Sequence, residues 1–341
     1  MTAAAIRYLV LWVTTACNLR CACCYRGDPS PMTMDTATAE AALRLAASSG
    51  RPFHVQLSGG EPTLEPRRVA AIAKSVRDAG WQATMAIQTN GTLLDNGVLE
   101  ICRRYAVSVG VSLDGPPQIQ ERLRGGASET FHGLELLARF DLPVRVTTVL
   151  SAGNTPHLGE LLLALAAFPT VEGVGFDPLV LKGRALRQKA EIPSEESIRH
   201  GVTAMLEVLG RVNRARRVPL RCRELEAVRK ALSDGASSRP YCHACSGESL
   251  AVHPDGTVYP CSQTIGDPAM RAGTVASVDW QRLKSVFRGA ALKGHCGECP
   301  LAGRCPGDCP SRLTYNDGPS RQVMCTVYQT ICAYLTREDV P

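Results

Sequence analysis

Three cysteines near the start of the chain, Cys17, Cys21 and Cys24, have the types and spacing to do chemistry. They lie in the run Cys17-Asn18-Leu19-Arg20-Cys21-Ala22-Cys23-Cys24-Tyr25, a C-x3-C-x2-C pattern, and the next cysteine is Cys102. Iron–sulfur cubanes are normally held by four thiolates. A loop that supplies three leaves one iron open to a non-protein ligand, so a reducible cluster can hold and cleave a cofactor rather than only pass electrons. Cys23 adjoins Cys24, and neighbouring residues of an extended loop point in opposite directions. Cys23 therefore reads as a small apolar lining residue. The competing reading is zinc, which prefers closed tetrahedral sites built from paired C-x2-C units; the triple fits that poorly.

A second signal follows one strand and helix later. Phe53 to Leu57 reads as a short strand ending in Ser58-Gly59-Gly60-Glu61-Pro62. A Gly-Gly pair lets the backbone approach a ligand closely, Glu61 offers an acceptor, and Pro62 stiffens the exit. Alone, such a turn is a weak signal. Behind a three-cysteine loop it is a specific one.

On these residues the chain resembles the radical S-adenosylmethionine (SAM) enzymes. The resemblance implies that the open iron chelates the amino and carboxylate groups of SAM, and that Gly59, Gly60 and Glu61 bind the amino group. Ala86 to Thr92 and Val109 to Gly115 match the family's ribose-contacting strands, which makes Thr89, Asn90 and Ser112 cofactor-binding residues. Arg124 matches a position that contacts the SAM carboxylate. The chain departs from the family at Cys23, where an aromatic residue often touches the adenine.

The C-terminal third carries an independent signature. Gly256 to Cys261 is G-x4-C; Cys296, Cys299, Cys305 and Cys309 give C-x2-C-x5-C-x3-C; Cys325 follows. This is similar to the SPASM extension of peptide-modifying radical SAM enzymes. Two further cubanes need eight thiolates, and nine cysteines are available from Cys242 onward. The family pattern assigns Cys242, Cys245, Cys261 and Cys309 to one auxiliary cluster and Cys296, Cys299, Cys305 and Cys325 to the other, three [4Fe-4S] clusters in all. Cys332 reads as a buried small hydrophobe or as a replacement for Cys242 or Cys245. Cys102 and Cys222 read as packing residues.

The rest of the chain must position these groups. Strand-like and helix-like runs alternate; helices are expected over 35–47, 65–79, 95–105, 130–139 and 158–167, and strands over 144–150 and 171–176. That alternation implies a parallel sheet with right-handed crossovers. By analogy with the family, the expected fold is α/β, a partial (β/α)6 TIM-like barrel with a C-terminal cysteine-rich SPASM domain. The expected division is 1–190 for the barrel, 191–240 for a helical bridge and 241–341 for the SPASM domain. Tyr8 to Cys17 superficially resembles a signal peptide with a lipobox. Its apolar run is shorter than the 7–15 residues of a secretory core, and its β-branched and aromatic content favours a first barrel strand.

Fifteen cysteines would signal disulfides in a small secreted domain. In 341 residues, 45% of them hydrophobic, metal ligation explains them better and implies a cytoplasmic, low-oxygen setting. No stretch reaches the ~20 apolar residues of a membrane span. Net charge is +6, with a basic run from Arg211 to Arg223. Charge runs are usually solvated faces, which argues against nucleic acid; a docking surface for an acidic leader is the other reading.

The implied chemistry is reductive cleavage of SAM to a 5′-deoxyadenosyl radical that abstracts hydrogen from a peptide or protein, giving a thioether or carbon–carbon cross-link. An electron donor such as flavodoxin or ferredoxin is implied. With Cys17 so early, a separate leader-binding carrier protein, or direct recognition through the bridge region, is expected. Sulfatase maturases typically place an acidic base after the G-x4-C cysteine; here Ser262 stands there, so the catalytic base is unassigned. Tetrapyrrole side-chain modification in haem-type biosynthesis is the alternative enzyme reading. A non-catalytic iron–sulfur electron carrier or sensor is the alternative of another class, and the SAM-type turn and strands argue against it. A zinc-binding interaction module remains open for the C-terminal third.

Overall fold

The computed structural model describes residues 5–233, 240–287 and 296–336. Its elements, in chain order, are β1 (Tyr8–Thr14), α1 (Thr36–Ala47), β2 (Phe53–Gly59), α2 (Pro66–Asp78), β3 (Ala83–Thr89), α3 (Asn96–Arg104), β4 (Val107–Ser112), α4 (Pro117–Leu123), α5 (Ala127–Arg139), β5 (Val144–Leu150), α6 (Leu158–Ala166), β6 (Val171–Pro178), α7 (Gly183–Arg187), α8 (Glu195–Ala215), β7 (Arg221–Cys222), α9 (Arg223–Ser233), β8 (Ser249–Val252), β9 (Val258–Tyr259), β10 (Gly273–Thr274), β11 (Ser277–Val278), α10 (Trp280–Ser285), α11 (Pro310–Tyr315) and α12 (Val323–Leu335).

Nine strands form one sheet in the order β7-β6-β5-β4-β3-β2-β1-β8-β9, parallel except for the β8–β9 pair. β1 to β6 are the partial barrel. Alternation along each strand sorts its two faces. In β4, Val107, Val109 and Val111 are buried under the helices, whereas Ser108, Gly110 and Ser112 line the interior. Helix starts follow side-chain caps: Asp35, Asp95 and Ser194 accept from Thr38 N, Val98 N and Ser197 N.

The expected helical bridge over 191–240 is interrupted. α8 stops at Ala215, and α9 begins only at Arg223; residues 234–239 lie outside the described residues. Pro219 disfavours helical geometry at Val218. Arg216, from the basic run, donates to the carbonyls of Ala166, Phe168, Pro169 and Val171, so it ties α8 to the end of α6. The C-terminal region is joined to the barrel through the sheet itself, because β8 adds to β1 in parallel register from Tyr8↔Ser249 to Leu11↔Val252. Among the described residues no helix is long and apolar enough to cross a membrane.

Candidate functional site

The strand ends and the loops after them enclose a cavity of about 930 Å³. It touches Cys17, Cys21 and Cys24 at one side and Cys242, Cys261 and Cys309 at another. Gly59, Gly60, Glu61, Thr89, Asn90, Ser112 and Arg124 also line it. Residues far apart in sequence thus share one chamber at the C-terminal ends of the strands, where ligands of parallel α/β barrels bind.

The cysteine loop leaves β1 and is held by its neighbours. Ala22 N–H donates to Leu123 O at the end of α4. Asn18 accepts from Asn90 Nδ2 at 2.9 Å and donates to Thr92 Oγ1 at 2.8 Å. From the other side, Arg184 N–H donates to Arg26 O and Ala185 N–H to Cys24 O, each near 2.8–2.9 Å. Gly183 makes that approach feasible: it has φ +61°, and a Cβ there would lie 2.2 Å from Arg26 O. Gly60 is equally constrained, since its Cβ would lie 1.8 Å from Ala16 O.

Glu61 is 1% exposed. Its carboxylate accepts from Thr63 N–H, the Thr63 and Thr89 hydroxyls, and Asn90 N–H at 2.6–3.1 Å. Burial raises its pKa against those four donors. The side chain fastens the end of β2 to the end of β3. Ser112 is oriented by Gln88 Nε2 at 2.9 Å. Arg124 is paired with Asp114, Nε to Oδ2 at 2.6 Å and Nη2 to Oδ1 at 3.0 Å. Burial opposes its charge, yet Asp114 and the Cys23 and Cys21 sulfurs raise its pKa. Cys23 points into this cluster, its Sγ 3.5 Å from Asp114 Oδ2, so it is a polar partner rather than an apolar lining residue.

Among the described residues no group of three or more His, Cys, Asp or Glu side chains is arranged to hold a metal; several of the thiols nevertheless lie near one another. Burial pushes Cys21 up to about 11; Arg124 opposes this, and the Cys24, Asp114 and Cys17 charges add to it. Cys242 and Cys245 lie 3.8 Å apart, and Cys245 falls to about 6 through its hydrogen bond with Cys242. Burial and the neighbouring Cys261 raise Cys309 to about 12. Burial, with Cys305, Cys296 and Cys299 nearby, raises Cys325 to about 11. Such thiols ionise when a metal replaces the proton. Cys102, Cys222 and Cys332 are buried packing residues, although Cys332 also senses Cys299.

Two features had no sequence signal strong enough to find them. Ser262, next to Cys261, accepts from Trp12 Nε1 at 2.8 Å and lies 2.8 Å from the hydroxyl of Tyr25, next to Cys24. Arg223, at the end of the basic run, faces the cavity and ion-pairs with Glu224 and Asp177.

Three soft thiol donors on one loop fit a cubane with an open iron. The adjoining space is within the size range of small-molecule sites, and Arg26 Nε beside it is buried without a hydrogen-bond partner. The residues present therefore fit SAM on an iron–sulfur cluster.

Residues 13–164 match the Radical SAM superfamily. The chain is 30% identical to an AdoMet-dependent heme synthase of Methanosarcina barkeri, over 88% of this chain and 90% of that one. It is 25% identical to a serine-type anaerobic sulfatase-maturating enzyme of Klebsiella aerogenes, over 87% and 78%. Its fold matches native anSMEcpe with bound AdoMet and Cp18Cys peptide, with a TM-score of 0.77 at 18% identity over 97% of each chain. Given the three-cysteine loop, the Gly-Gly-Glu turn and a relative shared along nearly its whole length, the chain belongs to the radical SAM superfamily.

Proposed function

We propose that the protein removes hydrogen from a carbon of a peptide or protein substrate and leaves an oxidative modification of the thioether or carbon–carbon cross-link type. The observation that carries this reading is one continuous cavity running from the Cys17 loop along the barrel interior to Cys242, Cys261 and Cys309. A substrate in it lies between a hydrogen acceptor and an electron acceptor, which is the arrangement an oxidation requires.

In this reading Cys17, Cys21 and Cys24 hold the SAM-binding cluster. Cys242, Cys245, Cys261 and Cys309 hold one auxiliary cluster, and Cys296, Cys299, Cys305 and Cys325 hold the other. When bound to a reduced cluster, SAM supplies a carbon-centred radical able to take hydrogen from an unactivated carbon. The chain's own residues position it. Glu61, its carboxylate spent on protein donors, holds the turn so that the Gly59 and Gly60 backbone meets the amino group. Arg124, pinned through two nitrogens by Asp114, presents its remaining N–H groups to the carboxylate. Thr89, Asn90 and Ser112, which line the same cavity, would contact the ribose. Ser262, held by Trp12 and Tyr25, stands where an acidic base would be needed for sulfatase maturation. A flavodoxin or ferredoxin would supply the electrons.

The heme synthase relative favours tetrapyrrole modification as the second reading. Anaerobically reconstituted protein, reduced with dithionite, is given either short peptides encoded beside its gene or porphyrins with propionate side chains. The expected result is 5′-deoxyadenosine formation stimulated by a peptide that loses two hydrogens. Turnover of a porphyrin, with every peptide unchanged, would overturn the peptide reading.

A further inference from the structure

The barrel interior continues well below the cofactor end, and its wall there is unusual. In register, Gly110 of β4, Arg145 of β5 and Gly173 of β6 stand side by side. One level nearer the cofactor come Ser112, Thr147 and Gly175; above them Val149 pairs with Asp177. Arg145 lines the cavity and is exposed within it. Among the described residues it makes no ion pair or side-chain hydrogen bond, in contrast to the other cavity arginines: Arg26 donates to backbone carbonyls, and Arg124 and Arg223 pair with carboxylates.

Glycine within a strand weakens it and marks a place where another group approaches closely. Two of these glycines are already covered. A Cβ on Gly110 would lie 2.5 Å from Gln88 Oε1, and one on Gly175 would lie 3.0 Å from the Arg223 guanidinium. Gly173 is buried, and a Cβ there would lie 3.2 Å from Arg221 O and 3.8 Å from Arg221 Cβ in the adjoining strand. Arg145 thus lines the cavity with its guanidinium donors unengaged by any side chain or carbonyl among the described residues. Glu172, one residue before Gly173, also lines this end and is likewise unpaired among the described residues, so the region is not simply cationic.

We propose that Arg145 anchors a carboxylate of the substrate. The inference rests on the peptide reading above and adds a spacing rule to it. Val149 marks the cofactor end, because its N–H donates to the Asp114 carboxylate that holds Arg124. Arg145 lies four residues below it, roughly 13 Å along the strand. An extended peptide rises at the same rate, so the anchored carboxylate, an acidic side chain or the C-terminus, lies about four residues from the carbon that reacts. Arginine suits the task because its planar fork matches a carboxylate.

The test measures binding, so it does not depend on turnover. The probe is a set of acetylated, amidated hexapeptides in which one glutamate, glutamine or lysine is walked through a Ser-Gly-Ala background. Their affinities are measured on reconstituted, SAM-loaded, unreduced protein and on Arg145→Gln and Arg145→Glu variants. Matching iron content and far-UV circular dichroism establish that the variants are folded. Wild type is expected to favour glutamate over glutamine at one position by about tenfold or more. Arg145→Gln should lose that preference, and Arg145→Glu should transfer it to lysine at the same position. Identical rankings in wild type and Arg145→Glu would overturn the anchor while leaving the peptide reading intact. If no hexapeptide binds but coproporphyrin III binds in an Arg145-dependent way, the anchor stands and the peptide reading falls. If neither ligand class responds to Arg145, the anchor is overturned.

Discussion

Replacing Asp114 with asparagine tests whether the cofactor end is braced by a buried ion pair. The Asp114 side chain is 1% exposed and that of Arg124 10%. Oδ2 accepts from Arg124 Nε; Oδ1 accepts from Arg124 Nη2 and from Val149 N–H at 2.8 Å. An asparagine offers one acceptor oxygen in place of two, so at least one of these donors must face an N–H group. Removing one partner of a buried pair costs about 3–5 kcal/mol, because the other charge is left uncompensated. At about 1.4 kcal/mol per decade, the lower figure raises the population of local opening roughly a hundredfold. Hydrogen–deuterium exchange of reconstituted protein reads this at the Val149 amide and along residues 112–125. SAM affinity should fall in parallel. The control is Asp114→Leu combined with Arg124→Met. It removes both charges, so it should cost less stability than Asp114→Asn alone, yet SAM affinity should stay low because the guanidinium is gone. Unchanged exchange at Val149 in Asp114→Asn, or a double variant as unstable as the single, would refute the reasoning.

Wild-type protein reconstituted without oxygen should bind roughly twelve irons, from three cubanes of four, and changing Cys17, Cys21 and Cys24 together to alanine should remove one third; a wild-type content near four would exclude the auxiliary clusters. Gly183→Ala places a Cβ on the carbonyls of Tyr25 and Arg26 at a positive φ, so SAM cleavage should drop at least tenfold while most of the iron remains; wild-type cleavage rates would show that the contact is dispensable. Burial raises Glu224 above its ordinary range, against its bond with Arg223. The native state therefore holds this proton where the unfolded chain has lost it, and the contribution to stability is lost as pH rises through the raised value. Urea midpoints between pH 5 and 7.5 should accordingly fall less steeply in Glu224→Gln than in wild type, and equal slopes would assign the dependence to other groups.

The barrel was legible because its signals are local. Alternation in Val144 to Leu150 and the asparates that precede α1 and α3 mark their elements within a few residues. The superfamily was legible because the spacing of Cys17, Cys21 and Cys24 and the turn at Gly59 to Glu61 are local patterns too. What escaped depends on partners distant in sequence. β8 is four residues long, and its partner β1 lies about 240 positions earlier, so nothing near Ser249 marks it as part of the barrel sheet. Asp114 and Arg124 look like turn and helix-end residues until folding pairs them. The basic run splits in a way that charge alone does not encode: Arg216 is spent on backbone carbonyls, Arg221 pairs with Glu226, and Arg223 turns into the cavity. Cys23 illustrates the limit of an adjacency argument. Its environment is a carboxylate and a guanidinium, with the Cys21 and Cys24 thiols nearby, rather than an apolar wall.

The segment after β6 connects these observations. Along it, Leu179 O accepts from Asn316 Nδ2, and Leu181 N–H donates to Asn316 Oδ1. Lys182 Nζ donates to the carbonyls of Gln263 and Ile265. The next residues, Gly183 to Ala185, lie on the backbone of the loop that carries Cys24. One short stretch therefore grips both the loop carrying Cys24 and the region carrying Cys261 and Cys309. The bridge from Tyr25 to Ser262 spans the same gap by side chains. An oxidation that takes hydrogen at one end of a chamber and passes an electron out at the other needs those ends held at a fixed separation, since electron transfer and hydrogen abstraction both depend steeply on distance. Backbone-to-backbone contacts hold the Cys24 loop, and the side chains of Lys182 and Asn316 hold the other end. They also make the segment after β6, rather than the more conspicuous cysteines, the place where a small change would disturb both halves of the site together.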